Sequence, residues 1–271
     1  MSTSPQRLAP APEALEPAPE DLPRMTLMQH LEELRKRISW VAGGLLLSFG
    51  PCWIYHKQLY AFLEAPIRPY LPPGQKLAFL GVADAFLLYF KVAALAAVFL
   101  ASPFVLWQLW RFVAPALYRK EKLYAIPFIF FGSFFFLAGG AFAYYVAVPL
   151  AIKFLLDIGN QFQAMITIEK YFSFLLTVIL GLGLMFEMPI LIFLLAGLGV
   201  VTPGFLLRHF RWAVVLIFLA AAIITPTPDI VNLCVFALPA IGLYLLGIAA
   251  AAVVFRNRKK KAAAAEEAEA A

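Results

Sequence analysis

Several apolar runs in this chain reach or exceed about 18 residues, the length that a helix needs to cross the hydrocarbon core of a membrane. Only 14% of the residues are charged, whereas roughly 25% is usual in a soluble domain. The alternating pattern of barrel strands is absent, so helices are expected. The sequence therefore predicts an all-α polytopic membrane protein with six transmembrane helices, at residues 38–55, 86–110, 124–146, 171–198, 213–224 and 230–254.

The composition divides the chain into three parts. Residues 1–24 are rich in Pro, Ala and Glu and lack an apolar block, which is typical of a disordered tail rather than of a signal peptide. Residues 25–255 form the predicted six-helix membrane domain. It opens with an amphipathic helix that is expected to lie along the membrane surface before the chain turns in. Residues 256–271 are a charged tail, basic and then acidic, expected to be solvated.

Lysine and arginine indicate the orientation of the predicted spans. The predicted inner segments hold 16 of these residues and the outer loops hold five, so both termini are expected in the cytoplasm. The fifth run has only 12 apolar residues, about 18 Å of helix against a hydrocarbon core of about 30 Å. This helix is expected to tilt little, to recruit its flanks or to thin the bilayer locally.

No catalytic motif stands out. The sequence contains no P-loop, no HExxH and no Gly-x-Ser-x-Gly, and its three histidines lie in separate segments. We therefore predict that the chain is not an enzyme and that it holds no metal or cofactor. Cys52 and Cys234 lie in or beside apolar runs and are expected to be buried hydrophobic side chains, with a disulfide between them left open. Anionic lipid explains the basic patches better than nucleic acid does.

One acid lies inside a predicted span. Glu187 in the fourth span would cost about 2.5 to 3.5 kcal/mol on insertion scales, so it requires a polar partner or a water-filled cavity. Pro189 removes a backbone donor and should bend the helix nearby. Glu187 either bonds a freed carbonyl or serves docking or conduction. A proton- or ion-coupled secondary transporter that uses Glu187 is the alternative function, although no convincing internal repeat accompanies it.

Acids also occur among the bases of two inner segments. In "HLEELRKR", Glu32 and Glu33 each have a base four residues further on, which allows ion pairs along a helix. The two possible pairs are Glu32 with Lys36 and Glu33 with Arg37. Glu121 is the acid of "RKEK" in the next inner loop. Two such carboxylates can accept the planar fork of arginine, which lysine does not offer. The ligand is therefore predicted to be a cation-bearing segment from the cytoplasm, with arginine preferred over lysine.

Four segments together resemble a known family. They are "HLEELRKR" before the first span, "WRFVAPALYRKEKL" in the first inner loop, "FEMPILIF" in the fourth span and "TPTPD" before the sixth. In this order they look like TatC, the core subunit of the twin-arginine protein translocase. The resemblance implies six spans with both termini inside, short fifth and sixth helices, and a location in the cell inner membrane.

The resemblance also implies a function and a set of site residues. It implies a Sec-independent receptor that binds twin-arginine signal peptides of folded cargo and nucleates a translocation complex driven by the proton-motive force. The implied partners are TatA- and TatB-type single-span subunits, further copies of itself and membrane lipid. The signal-peptide positions are Glu33, Glu121, Leu31, Arg35, Phe112, Pro115, Leu117 and Tyr118. Glu32 is not at an acid position of the family, so Glu32 is expected to pair with Lys36 and Glu33 to remain available to the ligand. The positions for partner-helix docking or translocation are Glu187, Pro66, Tyr144 and Asp229. Two departures from the family are Leu245, where many members have a glutamate, and Leu233, where they often have a glutamine.

Overall fold

The computed structural model describes residues 27–72, 76–114, 125–162, 165–225 and 229–270, the last 14 of them by their backbone alone. Within these ranges the regular structure is helical, apart from one isolated parallel bridge between Ala78 and Thr167, and turns and irregular segments connect the helices. The all-α prediction is therefore confirmed for this part of the chain. The helices are α1 (Leu27–Ile54), α2 (His56–Glu64), α3 (Asp84–Val113), α4 (Ala125–Phe142), α5 (Val148–Ile158), α6 (Ile168–Phe186), α7 (Met188–Gly197), α8 (Pro203–Arg208), α9 (Phe210–Ile224) and α10 (Ile230–Ala270).

Among the described residues, four helical stretches are long and apolar enough to cross a membrane. A fifth candidate is the pair α1 and α2, which is bent by 78°. α9 is apolar but has only 15 residues, about 22 Å of helix, in keeping with the short fifth span expected from the sequence. Every predicted apolar run thus has its helix, and the six-span topology itself stays a prediction. The four long stretches are Asp84–Val113, Ala125–Ile158, Ile168–Gly197 and Ile230–Arg256.

Two predictions about helix ends are wrong. A separate surface helix was expected before the first span, but α1 runs unbroken from Leu27 to Ile54. Neither Pro nor Gly occurs at residues 27–42, so nothing ends the helix there. A short sixth helix was also expected, but α10 has 41 residues. Its charged continuation is rich in Ala, Lys and Glu, which favour a helix, so the charges do not end it.

α1 and α3 form an antiparallel pair. His30 near the start of α1 stacks on Phe112 at the end of α3, with ring centroids 4.5 Å apart. Near the other end of α1, the ring centroid of Phe49 lies 5.1 Å from that of Phe90, which is in the early part of α3. The first turns of α1 are therefore placed beside the last turns of α3.

α4 approaches α6 closely at a glycine. A Cβ added to Gly139 would lie 2.7 Å from the carbonyl oxygen of Leu182 and 2.9 Å from the Cα of Gly183. Because these neighbours are backbone atoms of α6, the interhelical distance requires glycine at this position. The same approach brings Gly132, two turns earlier on α4, against Glu187 at the end of α6.

A π-helical turn, Ala143–Ala147, joins α4 to α5. Pro149 accounts for it, because proline has no backbone N–H and its ring clashes with the carbonyl four residues before it. A π turn accommodates this by adding one residue to the turn. The helix consequently continues to Ile158, well beyond residue 146, where the third span was predicted to end.

Candidate functional site

A polar cluster lies where the first turns of α1 meet the last turns of α3. Arg37 Nη2 donates to Glu33 Oε1 at 2.9 Å, and the two side chains are only 13% and 15% exposed. Arg37 Nη1 donates at 3.4 Å to the side-chain oxygen of Gln108, which is 2% exposed. Partly buried charges are screened less than exposed ones, so this ion pair is stronger than a surface pair. We call Glu33, Arg37 and Gln108 the Glu33 cluster.

The ion pair is incompletely satisfied. Glu33 Oε2 and Arg37 Nε are both buried and have no hydrogen-bond partner in the described part of the chain. Leaving a buried polar atom without a partner costs about 1–3 kcal/mol, and more for a charged group. Glu33 therefore has one oxygen that is already bonded and a second that can accept a further N–H.

The pairing of the two acids on α1 is the reverse of the prediction. Glu33, expected to be available, is paired, and no ion pair joins Glu32 to Lys36 among the residues that the structure describes. Both Glu32 and Lys36 are exposed. Residues four apart share a face of the helix, and only the face that carries Glu33 and Arg37 packs on α3. Burial against α3 therefore favours this pair over the exposed one.

The predicted signal-peptide residues are only partly covered by the structure. Glu33 and Phe112 belong to the contact between α1 and α3, and Phe112 is half-buried under His30. Leu31 and Arg35 are exposed, Leu31 by 58%. The structure therefore places an exposed apolar side chain and a base close to the Glu33 cluster along α1. The remaining four, Pro115, Leu117, Tyr118 and Glu121, lie outside the described residues.

Sequence reasoning missed Gln108. This residue interrupts the apolar run "VLWQLW" near the end of the second predicted span. Buried side-chain amides are usually hydrogen-bonded, so a single amide in such a run is a signal for a polar contact between helices. That signal could have identified Gln108, although not its partner Arg37, which is 71 positions away in the sequence.

Glu187 stands at the break between α6 and α7. Its carbonyl oxygen accepts from the N–H groups of Ile190 and Leu191, at 3.1 and 3.0 Å, so the chain passes through the break without losing these bonds. Pro189 is in the first turn of α7, where its missing N–H removes no hydrogen bond of the helix. The disruption predicted from Pro189 is thus located at Glu187.

The side chain of Glu187 reaches the neighbouring helices. Its Oε2 lies 3.4 Å from the position that a Cβ on Gly132 of α4 would occupy, and the Leu106 side chain of α3 lies 2.8 Å from the same position. The residue is half-buried, and within the described ranges its carboxylate has no hydrogen bond. The Glu187 carboxylate is therefore a hydrogen-bond acceptor within a candidate membrane span, and its surroundings are apolar.

Two tyrosines fix the end of α2. The hydroxyl of Tyr144, in the π turn, donates to the carbonyl of Phe62 at 2.6 Å, and that of Tyr171, on α6, donates to the carbonyl of Leu63 at 2.8 Å. The last carbonyls of a helix lack partners within it, and the hydroxyls supply them. Tyr144, predicted from the resemblance, thus has a structural contact. Pro66 follows just after this end of α2 and is half-buried.

The same end of α2 carries an ion pair. Glu64 Oε2 accepts from Arg68 Nη2 and Nε at 2.8 and 3.0 Å, and Glu64 Oε1 accepts from the hydroxyl of Tyr60 at 2.6 Å. The Tyr60 hydroxyl therefore donates to the same carboxylate that binds Arg68.

Removing both capping hydroxyls, as Tyr144→Phe with Tyr171→Phe, is expected to loosen α2. Tyr171→Phe removes the hydroxyl donor of the Leu63 carbonyl, at about 1–2 kcal/mol, and Tyr144→Phe leaves the Phe62 carbonyl with the N–H of Ala65 alone, at 3.2 Å. Amide hydrogen exchange in residues 56–65 should therefore accelerate. Tyr145→Phe is the matched control, because Tyr145 is 68% exposed and lies next to Tyr144. Unchanged exchange in the double variant would show that the hydroxyls do not hold α2.

Asp229 caps the start of α10. Its carboxylate accepts from the backbone N–H of Asn232 at 2.7 Å and from the side-chain amide of Asn232 at 2.8 Å. Aspartate is among the preferred residues at this position of a helix. The structure thus gives Asp229 a capping role, and its predicted part in docking stays a prediction.

The sequence motifs and the helices agree with one protein family. The family model described as TatC, Sec-independent protein translocase protein, matches residues 29–239. The chain belongs to the TatC family. It is therefore a membrane component of the Sec-independent, twin-arginine protein translocase. The resemblance drawn from the four sequence motifs is confirmed, and the secondary-transporter alternative is set aside.

Similar proteins cover more than four fifths of the chain. The Sec-independent protein translocase protein TatC of Koribacter versatilis (strain Ellin345) is 48% identical over 233 residues, 85% of this chain and 86% of that protein. The TatC protein of Helicobacter pylori (strain J99) is 40% identical over 226 residues, 83% of this chain and 88% of its own length. A crystal structure of the twin arginine translocase receptor TatC superposes with a TM-score of 0.72 at 33% identity. It covers 83% of this chain and 99% of the solved chain.

Proposed function

We propose that this TatC-family chain crosses the cell inner membrane six times with both termini in the cytoplasm. The excess of lysine and arginine in the inner segments supports this orientation. Five helical candidates for spans, counting the bent pair α1 and α2 once, together with α9, supply six crossings. Consecutive membrane crossings run in opposite directions, and the antiparallel pairing of α1 with α3 fits this. In this topology the Glu33 cluster lies at the cytoplasmic face.

We infer that the Glu33 carboxylate binds an arginine of a twin-arginine signal peptide from a folded cargo protein. The observation that carries this inference is the guanidinium of Arg37, already bound to Glu33 at 2.9 Å, while the second carboxylate oxygen has no partner. The site around Glu33 can therefore accommodate a guanidinium group bound to its carboxylate. Exposed Leu31, two residues away, offers apolar surface to the segment that follows the arginines.

We propose that Glu121 accepts the second arginine, with Arg35, Phe112, Pro115, Leu117 and Tyr118 around the site. Glu121 is seven residues beyond Ala114, the last described residue before it. An extended chain spans about 3.3–3.6 Å per residue, so the connection is long enough for Glu121 to approach the Glu33 cluster. The two negative charges of Glu33 and Glu121 would then balance the two positive charges of consecutive arginines in the peptide.

Binding of fluorescent signal peptides to the purified protein tests this function. We expect the Arg-Arg peptide to bind more tightly than its Lys-Lys variant, because lysine lacks the planar fork. Loss of a charge-assisted bond in Glu33→Gln or Glu121→Gln is expected to weaken Arg-Arg binding about tenfold. Glu32→Gln, on the exposed face of α1, is the matched control and should bind normally. Equal affinity for the two peptides, or normal binding by both variants, would refute the receptor function.

We propose that Glu187 receives a polar group from a TatA- or TatB-type partner helix. A half-buried carboxylate at span depth is costly unless it has a polar partner, and the described helices supply no hydrogen bond to it. Pro66, Tyr144 and Asp229, near the ends of α2 and α10, would complete the docking or translocation surface. Further copies of the chain and membrane lipid are the other expected contacts, and the proton-motive force is the expected source of energy.

A further inference from the structure

Arg37 conflicts with a simple description of Glu33 as an open receptor site. A bidentate arginine uses both oxygens of a carboxylate, and Arg37 Nη2 already holds Glu33 Oε1 at 2.9 Å. A peptide arginine that binds Glu33 in this way must share Oε1 with Arg37 or displace it, and the mutual repulsion of two guanidinium cations at one oxygen favours displacement. The structure also shows where Arg37 can go, because its Nη1 faces the side-chain oxygen of Gln108 on α3.

We propose that Arg37 is an internal placeholder, which occupies Glu33 in the absence of a signal peptide and transfers to Gln108 when a peptide arginine binds. The proposal rests on the proposed function of Glu33. Arg37 is then a positioning residue, because it acts on the peptide through Glu33.

The geometry of the two acceptors supports the transfer. The bond from Arg37 to Glu33 is short, at 2.9 Å, while that to Gln108 is long, at 3.4 Å. Good N–H···O bonds lie between 2.7 and about 3.2 Å, so the contact with Gln108 is weak and has room to shorten. Gln108 is 2% exposed, which shields its oxygen from water and keeps it as an acceptor for Arg37.

The placeholder also explains how a buried acid can remain ready for a ligand. An unpaired carboxylate in this position would lack compensation for its burial, and Arg37 provides it until the peptide arrives. The exchange replaces one guanidinium on Glu33 by another, so the charge of Glu33 stays compensated, while the guanidinium of Arg37 keeps a hydrogen-bond acceptor in the neutral side-chain oxygen of Gln108. A lysine ammonium, which cannot bridge both oxygens, displaces Arg37 less effectively.

Arg37→Gln is the direct test. The variant vacates Glu33, so Arg-Arg peptide binding should become about threefold to fivefold tighter, the size expected from removing one competing ion pair. Lys36→Gln is the matched control, because it removes the same charge from the exposed face one position earlier, and its binding should be unchanged. Unchanged or weaker binding by Arg37→Gln would overturn the proposal. If Arg37→Gln does not fold, Arg37→Lys should tighten binding in the same direction by a smaller factor, and unchanged or weaker binding by that variant would overturn it equally.

Gln108→Leu tests the transfer itself. Without the second acceptor, the displaced Arg37 has no partner, so Arg-Arg binding should weaken about threefold. In an Arg37→Gln background the same substitution should have no effect, because there is no guanidinium to receive. Equal effects in the two backgrounds would mean that Gln108 only supports the fold, and would overturn the transfer.

Glu33→Gln separates the two levels of inference. If this variant binds the Arg-Arg peptide normally, the receptor function of Glu33 fails. If it binds weakly while Arg37→Gln does not bind more tightly, the receptor function stands and the placeholder proposal fails.

Discussion

Glu187→Leu is expected to reduce the transport of a twin-arginine cargo to background while leaving the affinity for an Arg-Arg signal peptide unchanged. Leucine keeps the approximate size of the side chain but can accept no hydrogen bond from a partner helix. The carboxylate reaches Gly132 of α4 at the break between α6 and α7, whereas the Glu33 cluster joins α1 to α3. Cargo import into inverted membrane vesicles, with peptide binding measured on the same preparation, checks both halves of the expectation.

Two variants control for this substitution. Glu187→Gln keeps the size and the hydrogen-bonding capacity, so it should retain more transport than Glu187→Leu. Glu169→Leu removes the same type of acid from the exposed first turn of α6 and should transport normally. Normal transport by Glu187→Leu would rule out a docking role. Loss of peptide binding together with transport would instead assign Glu187 to the stability of the fold.

Gly139→Leu is expected to prevent α4 from packing on α6, and little folded protein should be recovered in detergent. The obstacle is the backbone of α6, with the Leu182 oxygen and the Gly183 Cα both under 3.0 Å from an added Cβ. Even Gly139→Ala should lower the melting temperature, because inserting atoms into a packed contact costs about 1–3 kcal/mol. Thermal unfolding monitored by size-exclusion chromatography measures this.

Gly43→Ala is the matched control for Gly139→Ala. An added Cβ at Gly43 meets nothing within 4 Å, and alanine favours a helix over glycine by about 1 kcal/mol. This variant should therefore melt at or slightly above the temperature of the unmodified protein. A normal melting temperature for Gly139→Ala would show that α4 and α6 can separate without loss.

The helices could be predicted from the sequence because each membrane-spanning helix corresponds to one continuous apolar run. Long apolar runs gave the positions of α3, α6 and the apolar part of α10, and the short run at residues 213–224 matches α9. Pro189 correctly located a disruption in the fourth span. The helix ends were less predictable, since continuation of α1 and α10 depends on the absence of a stop signal rather than on apolar periodicity.

The candidate site could be predicted only in part, because its contacts join distant segments. The motif at α1 identified Glu33, but spacing alone made Glu32 with Lys36 and Glu33 with Arg37 equivalent pairs. The packing of α3 distinguishes them, and no local pattern specifies which face of α1 meets α3. The tyrosine caps of α2 are equally remote, at separations of 82 and 108 residues from the carbonyls that they bind.

α1 has a mechanical consequence for the whole molecule. It is a single helix of 28 residues, about 42 Å long, with Glu33 near one end and the 78° bend into α2 at the other. Two tyrosine hydroxyls bind the last carbonyls of α2, so the end of α1 that joins α2 is held in place. In the proposed topology, a displacement of the Glu33 end would be carried along α1 to its joint with α2, because α1 has no break between Leu27 and Ile54.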